Sequence, residues 1–201
     1  MKQLNLYFIL FIIICLILAC NQSGTGSTST SVPPTVVAPT PKPTSTPTPN
    51  PTPDETRFTS PDGYYSFIMP EGWELTENDN GFIRISGPSG KKYTPNLVAS
   101  QTEDLMMLEL WSAIFQDAIL KNLGDAALIS EDFIDTDEGK LYFRWEFQAE
   151  QQGDRYHHIF YMYGSGDWKL VIAYTRLENE GAEYDVLIDA AMRSVQYNRS
   201  N

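Results

Sequence analysis

The sequence predicts an α+β fold in which an antiparallel sheet is covered by helices, the arrangement of an α/β/α sandwich. Four strand-like runs in its second half are joined by short turns, which is typical of antiparallel hairpins. Two other segments carry apolar residues at helical spacing. Both faces of the strand-like runs hold aromatic or aliphatic side chains, so we expect cover on both sides of the sheet.

Strands are predicted where apolar residues alternate with polar ones between turn residues. The runs that precede the central helix are 64–69, 73–75, 82–86 and 96–100. The runs that follow it, as a four-stranded meander, are 127–136, 140–150, 155–163 and 168–175.

The central helix is predicted over residues 103–123, which contain no glycine or proline and repeat apolar residues at helical spacing. Thr102 or Asp104 is placed to cap its start, and Gly124 is placed to end it. A second helix is predicted from about residue 180 to residue 194, near the end of the chain.

The N-terminal segment has the features of a secretory signal. Residues 4–18 are almost entirely apolar, but about 15 residues is short for a bilayer span, which needs about 20. The run closes on Ile17-Leu18-Ala19-Cys20, which resembles the bacterial lipobox. That resemblance implies cleavage before Cys20 and a diacyl group on its sulfur, because one acyl chain alone gives only marginal membrane binding. The alternative is an uncleaved signal anchor with an incidental cysteine.

Composition divides the chain into three parts. Residues 1–19 are the predicted signal peptide, 20–54 a disordered Ser/Thr/Pro-rich stalk, and 55–201 a globular domain. Residues 33–53 hold nine of the 13 prolines and lack apolar periodicity. As polyproline II, this segment would reach about 65 Å at about 3.1 Å per residue.

The globular part resembles the PsbP-like fold, which is shared by the extrinsic photosystem II subunit PsbP, its bacterial relatives and a yeast Ran-binding import factor. The resemblance lies in Asp62-Gly63-Tyr64-Tyr65-Ser66-Phe67, in the following Pro70-Glu71-Gly72-Trp73, and in the order of the later elements. It covers about residues 56–198. It implies a binding or assembly factor and not an enzyme, and it assigns no ligand residues to this chain.

Charge and cysteine content exclude several classes of function. Residues 54–201 hold 12 basic and all 26 acidic residues, a formal charge of −14, so we expect no nucleic-acid partner. Both cysteines, Cys15 and Cys20, lie in the N-terminal segment. The globular part therefore has no internal disulfide and no thiol nucleophile.

Catalytic and metal-binding patterns are sparse. The two histidines, His157 and His158, are adjacent in a predicted strand and so point to opposite faces. Asp135, Asp137 and Gly139 match a calcium loop only in part, because the distal glutamate of such a loop is missing. We therefore expect no catalytic residue, cofactor or metal site.

Aromatic residues offer one candidate for a binding surface. Tyr161, Tyr163 and Tyr174 lie on predicted strands and would form a partner surface if their sheet face were uncovered. The expected function is a lipid-anchored, extracytoplasmic binding or assembly module, which contacts the membrane through its anchor and takes a protein partner. The alternatives are a small-ligand sensor or carrier and a small carboxylate-dependent hydrolase.

Overall fold

The computed structural model describes residues 57–79, 82–90, 92–123 and 125–197. The predicted signal peptide, Cys20 and the predicted stalk lie outside these residues, as does Gly124. The described strands are β1 (Arg57–Thr59), β2 (Tyr65–Ile68), β3 (Glu74–Asp79), β4 (Phe82–Ser86), β5 (Asn96–Glu103), β6 (Ala127–Asp135), β7 (Leu141–Gln151), β8 (Asp154–Ser165), β9 (Trp168–Leu177) and β10 (Gln196–Tyr197). The helices are α1 (Leu108–Leu123) and α2 (Asp185–Arg193), with a 3-10 turn at Ala182–Tyr184.

Seven strands form one antiparallel sheet in the order β3-β4-β5-β9-β8-β7-β6. The chain leaves the sheet after β5, crosses one face as α1, and re-enters at the far edge as β6. The meander β6 to β9 then returns until β9 pairs with β5. A second sheet, β1-β2-β10, lies with α2 on the other face. The predicted α/β/α arrangement and the four-stranded meander are confirmed.

Turn chemistry holds the meander in register. Gln152 and Gly153 join β7 to β8 with φ values of 55° and 84°, and two positive φ values are the geometry of a type I′ hairpin turn. That turn twists in the same sense as the strands, so the pairing continues from Gln151↔Asp154 to Tyr142↔Tyr163.

The two faces of the sheet carry separate apolar cores. On the α1 face, Trp111, Phe115 and Ile119 pack on a ring cluster that includes Trp145 and Phe160. Trp145 and Phe147 stack with ring centroids 4.3 Å apart, and Phe115 meets Phe160 at 5.7 Å. The α2 face is filled by the residues Tyr65, Phe67, Trp73, Ile159, Ile172, Ile188, Met192 and Val195, among others. Strand β9 is buried along its whole length because both faces are covered.

Helix α1 begins five residues later than the sequence predicts. Strand β5 runs on to Glu103, which pairs with Trp168, so the backbone there is extended. Asp104 then accepts the Met106 N–H at 2.8 Å and so stabilises the connecting loop. At this end Trp111 N–H donates to Met107 O at 3.0 Å, so the helical bonding begins at Met107. Long-range pairing with β9 therefore overrides the local helical pattern.

His158 lies inside the α1-side core. It is 1% exposed, stacks on Phe147 at 4.9 Å, and has Nδ1 3.0 Å from Thr175 Oγ1. Burial, aided by the nearby His157, lowers the pKa of His158 from 6.5 to about 3. Its neutral form therefore fits the core, and its protonated form does not.

This burial predicts an acid-sensitive step in stability. Between pH 6.5 and pH 3 the unfolded chain binds a proton at residue 158 and the folded chain does not, so stability falls as the pH falls. The loss should approach about 1.4 kcal/mol per pH unit from this residue. Urea unfolding of wild type and of His158→Gln between pH 6.5 and pH 4.5 measures it, and the slope should flatten in the variant. An equal slope in wild type and in His158→Gln would contradict the prediction.

Candidate functional site

The predicted tyrosine surface is not open. Tyr161, Tyr163 and Tyr174 are each 0% exposed, because α2 and the small sheet cover their face. Their hydroxyls bond to the covering segment: Tyr161 donates to Asp189 Oδ1 at 2.6 Å, Tyr163 to Met192 O at 2.9 Å, and Tyr174 to Gly181 O at 3.1 Å. Burial raises the pKa of all three phenols. These residues therefore fasten α2 to the sheet, and they do not form an exposed partner surface.

A compact charge cluster surrounds Arg144 on the same face. Its Nε lies 3.0 Å from Asp189 Oδ1 on α2, and its Nη1 lies 2.5 Å from Glu146 Oε2. His157 Nε2 is 2.9 Å from Glu146 Oε1, and Ser130 donates to Glu146 Oε2 at 3.1 Å. The hydrogen bond with His157 and the Arg144 guanidinium lower the pKa of Glu146 to about 2, against the opposing effect of burial.

The chemistry of this cluster favours attachment over catalysis. A glutamate with a pKa of about 2 stays ionised at neutral pH and cannot act as a proton donor there. Glu146 stands between Ser130 and His157, whereas activation of a serine nucleophile needs the histidine in the middle. The hydrogen bonds and ion pairs of this cluster link Ser130 of β6 and Arg144 of β7 to Asp189 of α2.

A second ion pair holds the start of α2. Arg176 makes a bidentate contact with Asp185, with Nε to Oδ1 at 2.8 Å and Nη2 to Oδ2 at 2.7 Å. Its remaining nitrogen donates to the carbonyls of Leu177 and Glu178. Arg176 is 5% exposed, so a bidentate partner offsets the cost of burying its charge.

Two cavities that open to solvent are candidate binding sites. One, of about 490 Å³, lies beside β3 and β4 and is lined largely by polar side chains, among them Glu74, Thr76, Glu77, Arg84, Ser86 and Asn96. The other, of about 380 Å³, is a groove between α1 and β6. We call the second the α1–β6 groove; its lining is Glu109, Ser112, Ala113 and Gln116 from α1, with Glu131, Asp132, Phe133 and Phe143 from β6 and β7.

The α1–β6 groove has an apolar floor, and further exposed apolar side chains lie beyond its lining on the same strand and helix. Phe133 packs on Phe143 at 4.8 Å and remains 43% exposed. Farther along β6, Leu128 and Ile129 are 55% and 46% exposed. Leu120 lies one turn beyond Gln116 on the same side of α1 and is also exposed. Apolar side chains left in solvent along one groove are typical of an interaction site.

The groove is also bounded by the last strand of the sheet. Among the described strands β6 pairs with β7 and with no other, so no described strand covers its outer edge. Gln116 Nε2 bonds Glu131 Oε2 at 3.1 Å and links helix to strand at the middle of the groove. Glu109 and Glu131 place two carboxylates on the α1 side of the groove, and Asp132, which pairs with Arg144, adds a third on the other face of the strand, so the groove and its edge are acidic.

The α1–β6 groove was not predicted from the sequence. The residues that could have indicated it are Phe133 and the Leu128-Ile129 pair, which share a predicted strand with Glu131 and Asp132. Their exposure depends on β6 being an edge strand, and strand order follows from the crossover after β5. Within the described residues, no three His, Cys, Asp or Glu side chains are grouped to hold a metal ion. None of the described helices is long and apolar enough to cross a bilayer.

The fold is shared with proteins of solved structure. No family model and no curated protein sequence matches the chain. Cyanobacterial PsbP (CyanoP) from Synechocystis sp. PCC 6803 superposes with a TM-score of 0.53 at 16% identity, over 70% of this chain and 91% of that one. LpqN of Mycobacterium tuberculosis, described as involved in cell envelope biogenesis, gives 0.54 at 14% identity, over 70% and 88%.

A mutant of the protein Mog1 gives a TM-score of 0.51 at 12% identity, over 70% of this chain and 94% of that one. The chain spans 49% of the length of another solved structure that it matches, from Bacteroides thetaiotaomicron. At such identities a likeness shows the fold alone. With the two-faced sheet described above, these matches establish that the described part of the chain has a PsbP-like fold.

Proposed function

We propose that this chain is a lipid-anchored, extracytoplasmic binding or assembly module whose docking surface is the α1–β6 groove. The observation that carries the proposal is the exposed apolar lining of that groove beside an open strand edge. An exposed phenylalanine in a groove between a helix and an edge strand suits recognition of another polypeptide. The Arg144 cluster is not part of this docking surface, because its charged groups hold α2 against the sheet.

Support for the location comes from the sequence. The lipobox-like Ile17–Cys20 segment and the predicted stalk would hold the domain outside the cell membrane, on a diacylated Cys20. LpqN, which has the same fold, is a protein described as involved in cell envelope biogenesis, and this is compatible with an extracytoplasmic role here. The charge of −14 on residues 54–201 favours a protein partner over nucleic acid or an anionic lipid surface.

A small-ligand sensor or carrier is the second candidate, and the cavity beside β3 and β4 is the observation that favours it. That cavity is broad and polar, whereas sites for small organic ligands are mostly apolar with a few converging polar groups. We therefore place binding in the α1–β6 groove. The proposal includes no catalytic step.

The proposed anchor predicts fatty-acid labelling at one residue. Cells expressing the full chain with an alkyne-tagged palmitate should label the wild type, and Cys20→Ala should remove the label and release the protein from the membrane fraction. Cys15→Ala is the matched control and should label normally. An unlabelled wild type, or equal labelling of Cys20→Ala, would refute the anchor.

The proposed docking surface predicts where a partner can be crosslinked. A photo-reactive p-benzoylphenylalanine at position 133 should yield a discrete crosslinked protein when the anchored chain is irradiated in its own membrane. The same group at position 186 is the control, because Val186 is 76% exposed on α2, which covers the opposite face of the sheet. A partner crosslinked equally from both positions, or from position 186 alone, would remove the groove from the proposal.

A further inference from the structure

Building on the proposed function, we infer that the occupant of the α1–β6 groove is an extended, basic peptide segment of a partner protein, which pairs as an added strand with the free edge of β6. This follows from three properties of the groove: its open backbone, its apolar floor and its carboxylates.

The backbone groups on the outer edge of β6 can pair with an added strand. An edge strand presents about half of its N–H and C=O groups away from its one neighbour, and these groups are a template for another strand. Strand β6 shifts register between Leu128 and Ser130, then pairs regularly with β7 from Ser130↔Glu146 to Asp135↔Leu141. Residues 130–135 therefore offer a regularly paired segment that an extended peptide can follow.

The apolar floor decides which side chains of that peptide are favoured. Glu131 and Phe133 lie on the α1 face of β6, since they pair with Trp145 and Phe143 of the α1-side core. Side chains alternate along a strand, so every second side chain of an added strand would point to the same α1 face. There it would meet Phe133 and the exposed Ala113 of α1. Apolar residues are expected at these alternate positions.

The carboxylates decide the charge of the remaining positions. Glu109, Glu131 and Asp132 line the groove, and Asp135 is exposed at the end of the paired segment. Asp132 pairs with Arg144 and so lies on the other face of β6, where these remaining side chains would point, while Glu109 and Glu131 lie on the α1 face. Lysine or arginine at the remaining positions would lie beside Asp132, and the charge of the neighbouring Glu131 would add a longer-range attraction that speeds association. The preferred ligand is thus an extended segment in which basic and apolar residues alternate.

Charge also argues against two other occupants. A second copy of the chain would bring β6 against β6 and so place Glu131 and Asp132 near the same carboxylates of its partner, which is unfavourable in a cross-strand pair. The chain's own stalk carries a single charged residue over positions 21–53, Lys42, and four prolines alternate along 47–53. It therefore lacks the basic character that the groove favours.

Synthetic peptides test the inference without altering the protein. We would measure the binding of a fluorescent peptide that alternates lysine and valine to the full chain in non-ionic detergent, by anisotropy. Its counterpart with glutamate in place of lysine should bind at least about tenfold more weakly, and added salt should weaken the lysine peptide. Equal binding of the two peptides would overturn the inference.

Methylated peptides test the strand pairing itself. When valines face α1, the valine N–H groups all lie on one edge of the peptide and the lysine N–H groups on the other. Methylating the backbone nitrogens of one of these two sets should lower affinity at least about tenfold, and methylating the other set should change it less than about twofold. Equal effects of the two modifications would overturn pairing with β6.

Matched variants locate the binding on the correct edge. Glu131→Gln with Asp132→Asn should weaken the lysine peptide at least about fivefold. Glu74→Gln with Glu77→Gln removes the same charge from β3, the opposite edge strand, and should change affinity less than about twofold. A larger loss in the β3 variant would overturn the assignment to β6.

The remaining outcomes separate this inference from the proposed function. Crosslinking of a partner at position 133, combined with no preference for the lysine peptide, would keep the binding module and reject this occupant. Self-association of the chain that Ala113→Trp abolishes would assign the groove to a second copy. A gain in peptide affinity on deletion of residues 33–53 would assign it to the stalk. Each of the last two results would overturn the inference.

Discussion

The structure depends on one constraint, which is that the central strands of the large sheet must be covered on both faces. Strand β9 is buried at every position, and β8 is buried from Tyr156 to Tyr163. Such strands present apolar rings to both sides, so neither face can be left in water. Helix α1 covers one face, while α2 and the small sheet cover the other. Removal of either layer would expose several fully buried aromatic side chains at once.

The two layers are held by different kinds of interaction. Helix α1 packs through Trp111, Phe115 and Ile119 on rings, so its attachment is mainly apolar. The α2 layer adds polar contacts, because Tyr161 and Arg144 both reach Asp189 and Arg176 reaches Asp185. A buried phenol or guanidinium without a partner would cost free energy, so these contacts specify where α2 sits as well as stabilising it. The same bonds leave the tyrosines unable to serve as a surface.

The layers of the fold could be predicted from the sequence, whereas the candidate binding site could not, and particular residues show why. Alternation along 140–150 and the helical spacing of 103–123 are local patterns, so strands, helices and two-sided cover could be predicted. Strand β2 was predicted, but its partners β10 and β1 are two and three residues long, too short for any periodicity, so the small sheet that covers the tyrosines could not be predicted. The contact of Arg144 with Asp189 joins residues 45 positions apart and needs the folded register.

The position of β6 at the edge of the sheet exposes the protein to unwanted strand pairing, and residues of β6 oppose that pairing. An open edge strand invites aggregation, and natural proteins protect such edges with charge and with bulges. Strand β6 has both: a register shift between Leu128 and Ser130, and the exposed carboxylates of Glu131, Asp132 and Asp135. These features disfavour pairing with an identical acidic strand, but they do not disfavour a basic one. The protection against self-association is therefore the same feature that selects the proposed ligand.

A membrane tether would reduce the affinity that this groove needs. On the proposed anchor, the domain and a partner in the same membrane would meet within the reach of the stalk, about 65 Å for the proline-rich segment as polyproline II. Anchoring both proteins in one membrane confines their encounters to a thin layer and so raises the local concentration of each at the other. A groove of about 380 Å³ that forms a few backbone hydrogen bonds and one apolar contact would bind weakly in free solution. Joined to the proposed anchor, such a weak contact would be occupied more often than in free solution and would still release its partner quickly.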